Sequence, residues 1–183
     1  MVRRGESLQG KENVMFVFVE NLGYYNEGYR VGGWILLGKS EEELQLFLEE
    51  VVCIDEAHEE YFISDTESHK LCYSVNPYCD LFELNHLVCE FNQLTEEEQM
   101  TIHALLETGI VDNLTGALDM LDNYQLLSGI KNEYDLGYYF LEDFNFYEIP
   151  EFIQNYIDYE RYGQDLLISG DGYLTAYGFL MSA

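Results

Sequence analysis

VMFVFVENLGYYNEGYRVGGWILLGKSEEELQLFLEEV (14–51) changes its period twice, and that change sets the fold class. Residues 14–20 alternate and are β-branched or aromatic, which predicts a strand. NLGYYNEG (21–28) follows as a turn-rich loop, with glycines at two positions able to take positive φ. VGGWILL (31–37) is the partner strand. Ser40 then opens SEEE, a capping box in which Glu43 reaches back to the start of a helix. Leu44, Phe47, Leu48 and Val51 fall on one face of that helix. EEYFISD (59–65) returns as a strand, so the first third reads as a small sheet carrying one helix.

The middle third loses the period of two. Leu81, Leu84, Leu87, Val88 and Phe91 recur at helical spacing behind a cap at Asp80, and Thr95 with Glu98 forms a second capping box ahead of Ile102, Leu105 and Leu106. Gly109 is a stop, and Asn113 caps a third short helix through Leu121. In the last third, residues 133–144 read as helical, with a strand as the alternative. Pro150 starts a helix over EFIQNYIDYERY (151–162) with Phe152, Ile153, Tyr156 and Ile157 on one stripe. DLLIS (165–169), the turn GDG and YLTAYGFL (173–180) read as a closing hairpin. The expected organisation is α+β: a polar disordered leader (1–13), a sheet-plus-helix subdomain (14–79), a helical middle (80–121) and a mixed end (122–183).

Charge is the second decisive property. The chain holds 35 acidic and 8 basic residues in 183. Residues 40–69 carry eleven carboxylates, 71–130 carry ten and 132–160 carry eight, all without one Lys or Arg. Because Arg3, Arg4 and Lys11 sit in the leader, residues 12–183 set five basic groups against thirty-four acidic ones, a formal charge of −29. Surfaces of ordinary domains mix both signs, since a single-sign field repels itself. With about one phosphate charge per 1.7 Å of duplex axis, −29 equals roughly 49 Å of B-form DNA, or about 14 base pairs. An apolar fraction of 48%, with sixteen Tyr and eleven Phe, is enough to bury a core and argues against disorder.

The same inventory excludes other chemistries. Neither GxxxxGK[ST] nor GxGxxG occurs, and five basic groups in the folded part repel nucleic acid, so direct nucleic-acid binding is not expected and proteins that bind DNA are the favoured partners. No apolar run reaches 18 residues and the start lacks the apolar centre of a secretory signal, which points to a cytoplasmic protein with no membrane partner. Four cysteines (53, 72, 79 and 89) form no CxxC pair and read as free. HxxC spacing at His69/Cys72 and at His86/Cys89 is a weak zinc signal, and residues 112–123 lack calcium ligands at positions three and five of the loop. No cofactor and no metal site are expected. A carboxylate-pair hydrolase needs two acids singled out in a pocket, and since nothing selects a pair from thirty-five it stays only as a lesser alternative.

NLGYYNEG (21–28), VGGW (31–34), EEYFISDTE (59–67), LFELN (81–85) and IPEFIQNYIDYERYGQDL (149–166), in this order and spacing, resemble the ArdA family of antirestriction proteins. The resemblance implies an elongated homodimer of three-subdomain chains, borne by mobile genetic elements. It implies a non-enzymatic mimic of B-form DNA that occupies the groove of type I restriction–modification enzymes, at their methyltransferase–specificity core. The alternative is an acidic inhibitor of another DNA-handling defence system, of the CRISPR or BREX type.

A mimic must align acids from several elements, because carboxylates one helical turn apart stand about 5–6 Å from each other at Cβ. The candidates for the DNA-mimic surface are Glu41, Glu42, Glu43, Glu49, Glu50, Glu96, Glu97, Glu98, Glu142, Asp143, Glu148 and Glu151. For the dimer interface they are Tyr138, Tyr139, Phe144, Tyr147, Tyr156 and Tyr159. Asn21, Gly23, Asn26, Gly28, Asn155, Asp158, Tyr159 and Gly163, within the resembling motifs, read as structural.

Overall fold

A computed structural model describes residues 15–68, 71, 74–144, 149–170 and 172–183. Its elements in chain order are β1 (Met15–Asn21), α1 (Leu22–Asn26), β2 (Gly32–Leu36), α2 (Glu41–Glu50), β3 (Tyr61–Ser68), α3 (Leu81–Gln93), α4 (Glu96–Thr108) and α5 (Leu114–Met120). A 3-10 turn (Leu121–Asn123) leads to β4 (Tyr124–Leu127), α6 (Glu133–Tyr138), a π turn (Tyr139–Asp143), α7 (Glu151–Gln154), α8 (Tyr159–Ser169), β5 (Gly172–Thr175) and β6 (Gly178–Ser182). The fold is mixed α+β, with two three-stranded antiparallel sheets among the described residues. The chain divides into two compact units, Met1–Gln93 and Leu94–Ala183.

In the first unit the sheet order is β2-β1-β3. Met15, Val17 and Val19 point to one face and are buried, as the alternation requires. Phe16 and Phe18 lie on the other face, where Phe18 meets Trp34 edge to face at 5.3 Å. The pairing of β1 with β3 shifts register between Phe18 and Val19, so that Ser64 is the extra residue of a bulge. Leu44 and Leu48 carry α2 into the core. Val51 Cγ1, just past its end, lies 2.7 Å from where a Cβ on Gly33 would stand, which seats the helix directly on β2. Asn85 of α3 is buried and bonds the loop after β2 from both sides. Its Oδ1 accepts from the N–H groups of Gly38 and Lys39 at 2.8 and 3.0 Å, and its Nδ2 donates to the Lys39 carbonyl at 2.9 Å.

The second unit pairs β4-β6-β5. Ile130, Leu136 and Phe179 form its buried cluster, with Leu127, Phe140, Leu166 and Leu167 packed against it. Ile102, Ala104 and Leu105 of α4 and Leu114 and Ala117 of α5 are also buried.

The capping boxes at Ser40/Glu43 and Thr95/Glu98 are both formed, Gly109 ends α4 in the left-handed region at φ 70°, and Asn113 caps α5. Three expectations are corrected. Residues 22–26 form a short helix rather than part of a loop, because the Asn21 side chain accepts the Tyr24 N–H at 3.1 Å. The helix expected over 151–162 is two, broken after Gln154 and restarted by Asp158, whose carboxylate accepts the Arg161 N–H at 3.1 Å. Residues 165–169 continue α8 instead of forming a strand; the hairpin lies wholly within β5 and β6, and β4 is its unforeseen third strand. Leu166 and Leu167 reach the core cluster from that helix. The leader 1–13 lies outside the described residues.

Candidate acidic interface

Two helix N-termini concentrate the acids. α2 begins with Glu41, Glu42 and Glu43, and α4 with Glu96, Glu97 and Glu98. A carboxylate there is stabilised by the partial positive charge of the first-turn N–H groups. Negative charge is thus placed where it costs folding least. Among the described helices no last turn carries a basic residue.

Within each trio the third acid serves the fold. Glu43 Oε2 accepts from the Ser40 N–H and hydroxyl at 3.1 and 3.2 Å, while its Oε1 accepts from Lys39 Nζ at 2.9 Å. Lys39 first, and then the Ser40 backbone, hold its pKa below the usual carboxylate value. Glu98 Oε2 accepts from the Thr95 N–H at 2.7 Å and its hydroxyl at 2.8 Å, and these two bonds, the backbone one first, lower its pKa likewise. Glu41, Glu42, Glu96 and Glu97 remain exposed. Glu41, Glu42 and Glu49 line an open groove of about 460 Å³ with Gln45, Leu46 and Phe82, and Gln45 Nε2 donates to Glu49 at 2.7 Å. Glu50 is exposed beside it.

In the second unit Asp143 is exposed, but Glu142 is half-buried and accepts from Gln154 Nε2 at 2.8 Å and from the Tyr159 hydroxyl. Tyr159 is buried where α8 meets α6, with its ring 5.5 Å from Tyr134 and 5.3 Å from Tyr138. Burial first, and then the Glu142 carboxylate, push its hydroxyl pKa up to about 12. Tyr139 is half-buried against the core cluster, whereas Tyr138 and Phe144 are exposed and Tyr156 is 87% exposed. Glu148 and Tyr147 lie outside the described residues. Glu151 opens α7, but its side chain is not among those described.

Two arrangements escaped the sequence reading. Glu20 is 1% exposed and meets Arg30 through two bonds, Nε to Oε1 at 2.8 Å and Nη2 to Oε2 at 2.7 Å. Arg30 is the main cause of its lowered pKa, assisted by the Ser64 hydroxyl at the bulge. His58 stacks on Tyr24 at 4.0 Å and sits between Glu27 at 3.2 Å and Asp55 at 3.3 Å. Glu27 first, then Asp55, raise its pKa above the usual imidazole value. No helical or strand period links Glu20 to Arg30 or Glu27 to His58, whereas Asp55 stands only three positions before His58. Arg30 and Lys39 are thereby each matched to a local acid.

Among the described residues no group of three His, Cys, Asp or Glu side chains is arranged to hold a metal ion. His86 lies 3.3 Å from Glu90, and Cys89 is free. His69 and Cys72 lie outside the described residues. No described helix is long and apolar enough to cross a membrane.

The profile of the antirestriction protein family ArdA matches residues 17–181. The chain belongs to the ArdA family. The match runs from β1 into β6 and so includes both units and all the described candidate acids. No curated protein matches the chain. In this ArdA chain the motif residues Asn21, Asp158 and Tyr159 act as a cap, a cap and a buried ring.

Proposed function

We propose that this ArdA protein inhibits restriction by presenting its carboxylates in place of DNA phosphates, in the groove of a type I restriction–modification enzyme's methyltransferase–specificity core. Occupying that groove blocks restriction. The observation that carries the reading is the −29 charge of residues 12–183, with the first turns of α2 and α4 offering exposed acids and Arg30 and Lys39 each paired with a nearby acid. The protein acts by binding, without catalysis and without contacting nucleic acid itself.

Competition is the test. A duplex carrying the enzyme's recognition site displaces the inhibitor, and raising the salt weakens the complex because screening shortens the reach of exposed charges. Simultaneous binding of duplex and inhibitor at one groove would sink the idea.

A homodimer through the C-terminal part belongs to the reading. Two strongly acidic copies repel, so their contact must be apolar, and the exposed Phe144, Phe152 and Tyr156 supply such surface. Tyr138 adds to it, Tyr139 supports it from the core and Tyr159 contributes from beneath by fixing Tyr138. Light scattering is expected to give twice the chain mass, more completely at higher salt. A monomer at every salt concentration removes the dimer.

A further inference from the structure

Besides its exposed acids, the second unit holds a concave feature. A cavity of about 540 Å³ opens between β4 with its following turn and the α6 segment, with Glu97 of α4 also lining it. Three rings, Tyr134, Tyr138 and Tyr139, and three carboxylates, Glu97, Asp135 and Asp143, line this space without a Lys, Arg or His. The volume falls within the range of small-ligand pockets.

We propose that this cavity takes the guanidinium of an arginine side chain from the protein partner. The partner rests on the DNA-mimic reading above; the chemistry of the cavity does not. Tyrosine faces attract cations through the ring quadrupole. Carboxylates accept two parallel N–H bonds from a guanidinium. A planar, weakly hydrated guanidinium stacks on rings while an ammonium keeps its water, so this lining prefers arginine to lysine.

The site is held in shape before anything enters. Tyr134 and Tyr138 stand one turn apart on α6, near parallel at 6.4 Å, and Tyr159 braces both from the interior. Asp135 Oδ2 accepts the Lys131 N–H at 3.1 Å, and its own N–H donates to the Asn132 cap at 2.9 Å. Groups that grip DNA phosphates are mostly arginine and lysine. One arginine lodged here adds a fixed anchor to an otherwise diffuse attraction.

The test uses the full chain and three probes: L-argininamide, L-lysinamide and the neutral isostere L-citrullinamide. NMR at low salt is expected to show saturable shifts of the Tyr134, Tyr138 and Tyr139 rings and the Asp135 amide with argininamide, weaker binding of lysinamide by about threefold, and none of citrullinamide. Tyr134→Leu with Asp143→Asn, with folding checked by circular dichroism, is expected to lose argininamide binding by about threefold or more. Unsaturable shifts of equal size at Glu41, Glu42 and Glu49 would mean a counterion atmosphere and overturn the cavity as a site, leaving DNA mimicry untouched. A double variant that loses argininamide yet inhibits a methyltransferase–specificity complex as well as the parent would overturn the assignment to the partner's arginine.

Discussion

Gly137 of α6 and Gly163 of α8 face each other so closely that a Cβ on Gly137 would stand 3.0 Å from the Gly163 nitrogen. The same atom would also overlap the Tyr159 carbonyl oxygen, and a Cβ on Gly163 would overlap the carbonyl of Glu133. Backbone meets backbone at this crossing, so nothing flexible can yield. The closeness also brings Tyr159 beneath Tyr134 and Tyr138.

Alanine at either glycine is therefore expected to force the helices apart. The cost is at or above the upper end of the usual 1–3 kcal/mol for overpacking, less about 1 kcal/mol of gained helix propensity. Urea denaturation reads it as a lower midpoint. Gly129→Ala is the control, because a Cβ there meets nothing within 4 Å. Equal stability of all three variants would refute the close crossing.

Asn21→Ala is expected to destabilise the first unit by about 1–3 kcal/mol, the cost of leaving buried polar groups unsatisfied. Its Nδ2 donates to the carbonyls of Val52, Cys53 and His58 at 3.2, 3.2 and 3.3 Å while its Oδ1 caps α1. Asn21→Asp keeps the cap but turns a carboxylate oxygen toward three carbonyls, so it should cost more than alanine. Thermal melts of the pair give the order.

Acid and base are expected to act on the first unit through different groups. Glu20 has a lowered pKa, so its pairing with Arg30 stabilises the fold above the ordinary Glu value of about 4.3 and is lost as pH falls through the lower folded value. His58 has a raised pKa, so its contribution is complete below about 6.5 and is lost as pH rises through the higher folded value. Glu20→Gln should reduce the acid arm to the part that Glu43 and Asp55 supply, and cost about 1–3 kcal/mol at neutral pH, typical of a charge-assisted hydrogen bond. His58→Gln should flatten the profile on the neutral side alone. Denaturation midpoints between pH 3 and 9 separate the two.

Single replacements of Glu41, Glu42, Glu96 or Glu97 by Gln are expected to change inhibition by less than about fivefold each, since an exposed charge contributes little alone. Replacing all four together should weaken it progressively to well beyond that. Glu43→Ala and Glu98→Ala should instead lower thermal stability, because those side chains close capping boxes. Inhibition titrations alongside melts distinguish the classes. Loss of activity from one exposed acid, with the fold intact, would favour a single specific contact over a summed field.

Features whose cause spans a few residues were legible in the sequence. Ser40 with Glu43, Thr95 with Glu98, Gly109 and Asn113 mark helix ends because the bonds that make them join neighbours three or four positions apart. β1 was legible from its alternation, and the acidic character of the chain follows from composition alone. What each acid does was decided in three dimensions. Glu20 and Glu142 look like any other carboxylate in the chain, yet one is buried under Arg30 and the other takes the Tyr159 hydroxyl from seventeen residues away. The helical state of residues 165–169 was decided the same way. DLLIS suits a strand by composition, but as part of α8 it brings Leu166 and Leu167 to the Leu136 and Phe179 cluster while Gly163 meets α6. Local preference between strand and helix amounts to a fraction of a kcal/mol per residue, whereas burying one leucine is worth about 1.5–3 kcal/mol, so the packing won.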